Sequence, residues 1–315
     1  MKMAGAVLFC LLSSIIMCGC GQNLTALQGL VAGSGTGTSS MEGTRDNTPR
    51  VLTPSAPGID TEGTQDLTLD FSNLEDGYFA AAYSGDSAKV KLQVTTQDGI
   101  TCTYNLPADG ELQFFPLSDG SGDYDIGVYT NVEGTVYAAE YQTTVSAELE
   151  DDYLPFLYPN QYVWFTSDSE VVAAAMDLAA PADTDLDTVS LIYNYVVNTL
   201  TYDWDEAEQA QSSYIPDVDS VLSRQKGICL DYSALMAAML RSQRIPTRME
   251  IGYAGTTYHA WISTYIDDIG WINGIIQFDG TDWSMMDPTL ASAEGSRTVQ
   301  KYISDPNYYR TCYRY

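Results

Sequence analysis

The hydrophobic period of this chain changes once, near residue 150, and that change decides most of what the chain can fold into. From Asp66 to Glu148 apolar residues alternate with polar ones: Leu67, Leu69 and Phe71, then Val90, Leu92 and Val94 beyond Asp86-Ser87. Period two sends successive side chains to opposite faces of a strand. Gly77, Gly85, Gly99, Gly110, Gly120, Gly122 and Gly134 punctuate these runs, which predicts seven short strands in a β-sandwich of about 85 residues. Past Glu150-Asp151-Asp152, Pro155 and Pro159 the period lengthens. Val189, Ile192, Tyr193, Val196, Val197 and Leu200 form one face of a helix, with Asp183, Thr184, Asp185 and Asp187 at its positive end. A second helix follows Gly227, carries Cys229, Tyr232, Met236, Met239 and Leu240 on one stripe, and stops near Gln243-Arg244, before Pro246. Thr247 to Tyr253 and Tyr258 to Ile266 then read as strands, and the run Ile272 to Phe278 precedes a turn at Asp279-Gly280. Helices followed by successive strands predict an α+β domain with an antiparallel sheet packed on helices.

The first residues read as an address. Lys2, the apolar run Ala4 to Leu12 and Ile15-Ile16-Met17 make a secretory signal too short for a spanning helix. It ends in Met17-Cys18-Gly19-Cys20, which resembles a bacterial lipobox with Cys20 as the lipid attachment point. That resemblance implies an extracytoplasmic protein, lipid-anchored to the cell membrane. Residues 21–62 are rich in Gly, Ser, Thr and Pro, a composition that buries too little apolar surface to offset ordering entropy, and are expected to be a disordered tether. The expected organisation is a signal peptide over 1–20, a linker over 21–62, a β-sandwich over 63–150 and an α+β domain over 151–315.

Charge narrows the partners. With 14 Lys+Arg against 42 Asp+Glu the net charge is −28, which argues against nucleic acid, whose phosphates need a basic footprint. A single His argues against multi-His metal sites. The Asp119, Asp123 and Asp125 loop lacks EF-hand spacing and reads as a solvated turn, so neither metal nor cofactor is expected. After processing Cys20, Cys102, Cys229 and Cys312 remain, and whether Cys102 pairs with Cys312 is left open.

Three residues carry the chemistry. Cys229 stands at a helix start, where free N–H groups and the helix dipole favour thiolate over thiol. Residues 151–219 hold 14 acids and no Lys or Arg, whereas 220–250 hold Arg224, Lys226, Arg241, Arg244 and Arg248 against Asp231 and Glu250. That reversal is expected to lower the thiol pKa further. His259, on a strand beside Trp261, can hold an ion pair with the thiolate and later protonate a leaving amine. Asp287 can orient the imidazole from its other nitrogen.

Taken together these segments resemble the transglutaminase-like superfamily. Lys226-Gly227-Ile228-Cys229-Leu230-Asp231-Tyr232-Ser233-Ala234-Leu235 is similar to its Cys motif. Arg241 with Ile245-Pro246-Thr247-Arg248, and Gly252-Tyr253, are similar to the helix end and next strand in that family. His259-Ala260-Trp261 is similar to its His motif, and Trp283 with Asp287-Pro288-Thr289 to its Asp motif. The resemblance covers roughly residues 165–290. Gln243-Arg244 departs from it, standing where the family usually has Gly, so Arg244 would meet a steric penalty at positive φ. The resemblance implies a papain-like α+β fold and an enzyme in which Cys229 forms an acyl-thioester from an amide or peptide bond, with His259 as acid and base and Asp287 orienting it. The Cys229 N–H would be one oxyanion donor, with Tyr202 or Trp204 as candidates for the second. Protease, amidase and transglutaminase outcomes stay open, with protein or peptide substrates, cell-wall peptide among them. The competing reading is a catalytically idle binding or scaffold lipoprotein of the cell surface with the same fold.

Overall fold

A computed structural model describes residues 42–210, 213–254, 257–267, 269–273, 276–278, 283–285 and 309–315. Residues 41–315 form one compact unit. Its first part contains β1 (Thr61–Gly63), β2 (Leu67–Asp70), β3 (Tyr78–Tyr83), β4 (Val90–Thr96), β5 (Thr101–Leu106), β6 (Gln113–Pro116), β7 (Gly122–Glu133) and β8 (Val136–Ala147). They pair antiparallel in two four-stranded sheets, ordered β1-β2-β3-β6 and β5-β4-β7-β8. The expected alternation holds in β4, where Val90, Leu92 and Val94 are buried and Lys91 and Gln93 face outward.

The second part runs α1 (Glu170–Ala179), α2 (Asp185–Thr199), β9 (Thr201–Tyr202), α3 (Trp204–Gln209), α4 (Val218–Arg224), β10 (Lys226–Gly227) and α5 (Cys229–Ser242). Then come β11 (Thr247–Ala254), β12 (Thr257–Ile266), β13 (Gly270–Asn273), β14 (Ile276–Phe278), β15 (Trp283–Met285) and β16 (Tyr309–Arg314). The main sheet is antiparallel, in the order β13-β12-β11-β16. Thr184 caps α2: its hydroxyl accepts from the Asp187 N–H while the Asp187 carboxylate accepts from the Thr184 N–H. The stripe read on α5 understates its burial, since every residue from Asp231 to Ser242 is buried. Helices α1, α2 and α4 pack on it from one side and β11 and β12 from the other. A helix enclosed all round cannot show a clean amphipathic pattern.

One hydrophobic core joins the two parts. At the junction Tyr315 packs against Tyr104 of β5 at 5.1 Å and Tyr162 at 4.4 Å between ring centroids. Arg241 of α5 is fully buried there. Its guanidinium donates to the backbone oxygens of Thr247 (2.8 Å), Tyr158 (2.7 Å) and Tyr315 (3.0 Å). No disulfide joins Cys102 and Cys312.

Residues 42–62, expected within the tether, lie against the body instead. The Gly43 and Arg45 N–H groups donate to the carbonyls of Ala180 and Ala182 beyond α1 (2.8 and 3.1 Å), and the Arg50 N–H to Ser242 O of α5 (2.9 Å). The Arg45 guanidinium reaches Asp185 at 2.6 Å and the Gln243 carbonyl at 2.5 Å. Composition weighs buried apolar surface, and these contacts are polar: helix ends leave carbonyls without intrahelical partners, and this segment supplies the donors. Arg244 does adopt φ 67°. Its guanidinium, held by the Asp46 carboxylate at 2.8 Å, offsets part of that cost. Residues 1–41, with Cys20, lie outside the described residues.

Candidate active site

Local sequence brings Cys229 to the head of α5 beside Tyr202. Strands β9 and β10 form a short parallel bridge that sets Gly227 opposite Tyr202, and the Asp203 N–H donates to Gly227 O at 2.9 Å. Gly227 is required by a close approach: a Cβ there would stand 2.6 Å from the Asp231 side chain. Asp231, fully buried in the first turn of α5, accepts from the Ile228 N–H (2.8 Å) and the Tyr214 hydroxyl (2.7 Å), with Arg224 at 3.3 Å. It fastens the helix start and the Tyr214 loop to each other.

The Cys229 sulfur is approached by the N–H groups of Ala260 and Leu230 and by the Tyr202 hydroxyl, while the Cys229 N–H donates to Tyr202. Ala260 belongs to β12, which has a described strand partner on its β13 side only over Ser263–Ile266. Its Ala260 N–H serves the sulfur from that edge. This edge position explains how His259, which alternates to the opposite face from Ala260 and Ile262, shares a cavity with Cys229. The cavity has a volume of about 550 Å³ and is walled by Tyr202, Tyr214, Tyr258 and Tyr313 as well as by Cys229 and His259.

His259 is 5% exposed, lies opposite Gly252 of β11, and stacks toward Trp261 with 6.4 Å between ring centroids. Trp261 is held in turn by Glu250, whose carboxylate accepts from the indole N–H at 3.1 Å and from the Ser263 hydroxyl. Arg248 and Arg314 flank Glu250 at 3.6 and 3.8 Å. Glu250 escaped the sequence reading; the one signal for it was its alternation with Arg248 and Gly252 in a strand facing His259 and Trp261.

Of the two oxyanion candidates, Tyr202 contacts Cys229 directly. Trp204 is 57% exposed and packs on the Tyr202 ring at 4.6 Å rather than lining the cavity. Asp287 lies outside the described residues, as does the Asp279-Gly280 turn.

The expected lowering of the thiol pKa is not found. Burial pushes the Cys229 thiol up, against the pull of the neighbouring N–H groups, and burial pushes His259 down to about 4. Burial thus favours the uncharged forms of both, thiol and neutral imidazole. The basic residues fail to compensate because each is engaged elsewhere. Arg224 serves Asp231 and Glu206, Lys226 holds Asp203 at 2.8 Å, Arg244 holds Asp46, and Arg248 lies over Trp271 at 4.3 Å. Arg241 faces three backbone oxygens. Sequence proximity counted these charges as neighbours; the fold turns them away.

Residues 172–274 match the model of the transglutaminase-like superfamily. This segment is a transglutaminase-like domain. The match takes in Cys229, His259, Tyr202 and Glu250 and excludes the β-sandwich. Among solved structures, a candidate cysteine protease from Cytophaga hutchinsonii aligns at 19% identity and TM-score 0.36, covering 62% of this chain and 77% of that one. The periplasmic domain of TgpA from Pseudomonas aeruginosa aligns at 15% identity and TM-score 0.31, covering 68% and 73%. Red sea bream transglutaminase aligns at 12% identity and TM-score 0.27, covering 68% and 48%. No curated protein matches the chain significantly.

Proposed function

We propose that the chain is a thiol enzyme acting on amide or peptide bonds through an acyl-thioester at Cys229, anchored outside the cytoplasm by lipid at Cys20. The observation that carries this reading is the cavity shared by Cys229, Tyr202 and His259 in a transglutaminase-like domain. Sγ attacks the carbonyl carbon while neutral His259 takes the thiol proton, so charge separation develops during attack rather than at rest. The developing oxyanion is held by the Cys229 N–H and the Tyr202 hydroxyl. The Tyr202 pKa, pushed up to about 12 chiefly by burial, keeps it a neutral donor. The imidazolium then protonates the departing amine, and Asp287 would steady the ring. Water or a second amine resolves the thioester, giving hydrolysis or a cross-link. The substrate is a protein or peptide, with cell-wall peptide a natural candidate at that location.

A second reading is favoured by the neutral resting pair: a binding or scaffold lipoprotein of the cell surface that keeps the fold without turnover. A thioester trap separates the two. Incubation with cell-surface extract and a labelled amine should yield labelled peptides, and Cys229→Ala should abolish them. Wild-type protein that accumulates no Cys229 adduct and incorporates no amine is the outcome expected of the scaffold.

A further inference from the structure

The outer face of the sandwich forms part of the candidate site. Lys91 of β4 and Thr103 and Asn105 of β5 line the same cavity as Cys229 and His259. They belong to the polar row opposite the sandwich core: Lys91 stands across from Asn105 and Gln93 across from Thr103. Among the described lining residues Lys91 is the one cation, and no Asp or Glu is present. In a chain with 42 acids and 14 bases, a lysine and no carboxylate among the described lining residues is a marked local reversal. The other cations near the site are committed: Arg224 and Lys226 to carboxylates, Arg241 to backbone oxygens. Lys91 donates to the neutral Asn105 side chain, and no ion pair is found for it among the described residues. Partial burial and the nearby Lys89 both disfavour its charge. An anion entering the cavity would relieve both.

We propose that Lys91 is an anion-binding, specificity-determining residue of the cavity, so that the ligand placed at Cys229 carries a carboxylate near its reacting amide. The sandwich then selects substrate for the transglutaminase-like domain. This rests on the reading of Cys229 as the reacting thiol, but its test reads anion binding beside that thiol whether or not the protein turns over. The carboxylate can be an acidic side chain or a free peptide terminus.

Two alkylating probes of nearly equal size, iodoacetate and iodoacetamide, differ in carrying or lacking a carboxylate. Their rates at Cys229, assigned by peptide mass spectrometry, give a ratio that cancels any change in thiol ionisation. In Lys91→Met the iodoacetate:iodoacetamide ratio should fall about three-fold or more at low ionic strength, as expected for one charge at cavity range. The deficit should shrink in high salt, where screening acts within a few ångströms, and Lys91→Arg should keep the wild-type ratio. Protection of Cys229 from iodoacetamide by N-acetylglutamine, or by a capped Gln-Glu amide, then tells a terminal carboxylate from a side-chain one. A ratio unchanged by Lys91→Met, or equal protection by a capped Gln-Gln amide, would overturn the proposal.

Discussion

The Tyr202 hydroxyl meets Cys229 twice: it accepts the Cys229 backbone N–H and it donates to Sγ. The β9–β10 bridge sets this pairing, since Gly227, two residues before the cysteine, lies opposite Tyr202 itself. A phenol bridging the nucleophile and the N–H that must receive the oxyanion can serve the transition state with little reorganisation. Tyr202→Phe should therefore lower kcat by about 10²-fold while leaving KM within a few fold, the usual cost of one oxyanion donor. Trp204→Ala, which removes only the ring packed on Tyr202, should cost far less. Steady-state amine incorporation or hydrolysis measures both, and equal losses would deny Tyr202 a direct role.

The ionisation of Cys229 gives a second expectation. Burial raises its pKa and outweighs the N–H groups around it, so the alkylation rate against pH should show a midpoint above the ordinary thiol value of about 8.5. His259→Ala should move that midpoint little, because a neutral imidazole exerts no net charge on the thiol in that range. A midpoint well below 8.5 that rises in His259→Ala would instead reveal a preformed ion pair.

His259 can be followed alone, since the chain has one histidine. Its imidazole resonances should titrate near pH 4, well below the ordinary value of about 6.5. The sign comes from linkage. A histidine with a depressed folded pKa binds its proton more tightly in the unfolded chain, so its contribution to stability is full above about pH 6.5 and lost as pH falls toward 4. Over that window it amounts to about 3 kcal/mol at most, from a shift of roughly two and a half units at 1.36 kcal/mol each. His259→Phe should flatten the acid limb of stability, and a resonance titrating at or above 6.5 would contradict the burial account.

Much of this site was legible because it is local or ordered in sequence. The start of α5 at Cys229, the end near Gln243 and the positive φ at Arg244 reflect a Gly before, a Pro after and a residue where glycine is usual. Alternation along β12 puts His259 and Trp261 on one strand face. What failed was any inference that treated nearness in sequence as nearness in space. Arg224 and Lys226 flank Cys229 along the chain, yet their side chains turn to Glu206, Asp231 and Asp203. Conversely Lys91, more than a hundred residues upstream, lines the cavity through the packing of two sheets, which no local pattern encodes. The contacts of residues 43–50 are invisible in sequence for a related reason: they are made to carbonyls just beyond α1 and at the end of α5 that only the folded chain presents.

Arg241 offers the last test, because it joins three segments through one buried side chain. Its guanidinium satisfies backbone oxygens of Tyr158, Thr247 and Tyr315, and burial depresses its own pKa to about 9, leaving it charged at neutral pH. Arg241→Ala removes the donors to these three oxygens, of which Tyr315 O keeps the Met249 N–H at 2.8 Å; each acceptor left unmet costs about 1–3 kcal/mol. The total, after partial relaxation, should be about 3–5 kcal/mol, or a fall in Tm of roughly 10 °C. Arg241→Lys keeps the charge but lacks the planar fork, so it should recover only part of this. The loss should begin locally. Tyr315 walls the cavity just past β16, and the Arg314 carbonyl accepts from the Ser118 hydroxyl at 3.1 Å and lies 3.8 Å from the buried Cys102 thiol. Loosening β16 therefore uncovers Cys102, whose pKa burial has pushed up to about 11. In Arg241→Lys, Cys102 should react with a disulfide reagent well below the melting temperature, while in wild type it should stay protected until global unfolding. Equal protection in both proteins would mean that Arg241 stabilises the fold as a whole and has no particular hold on the C-terminal strand.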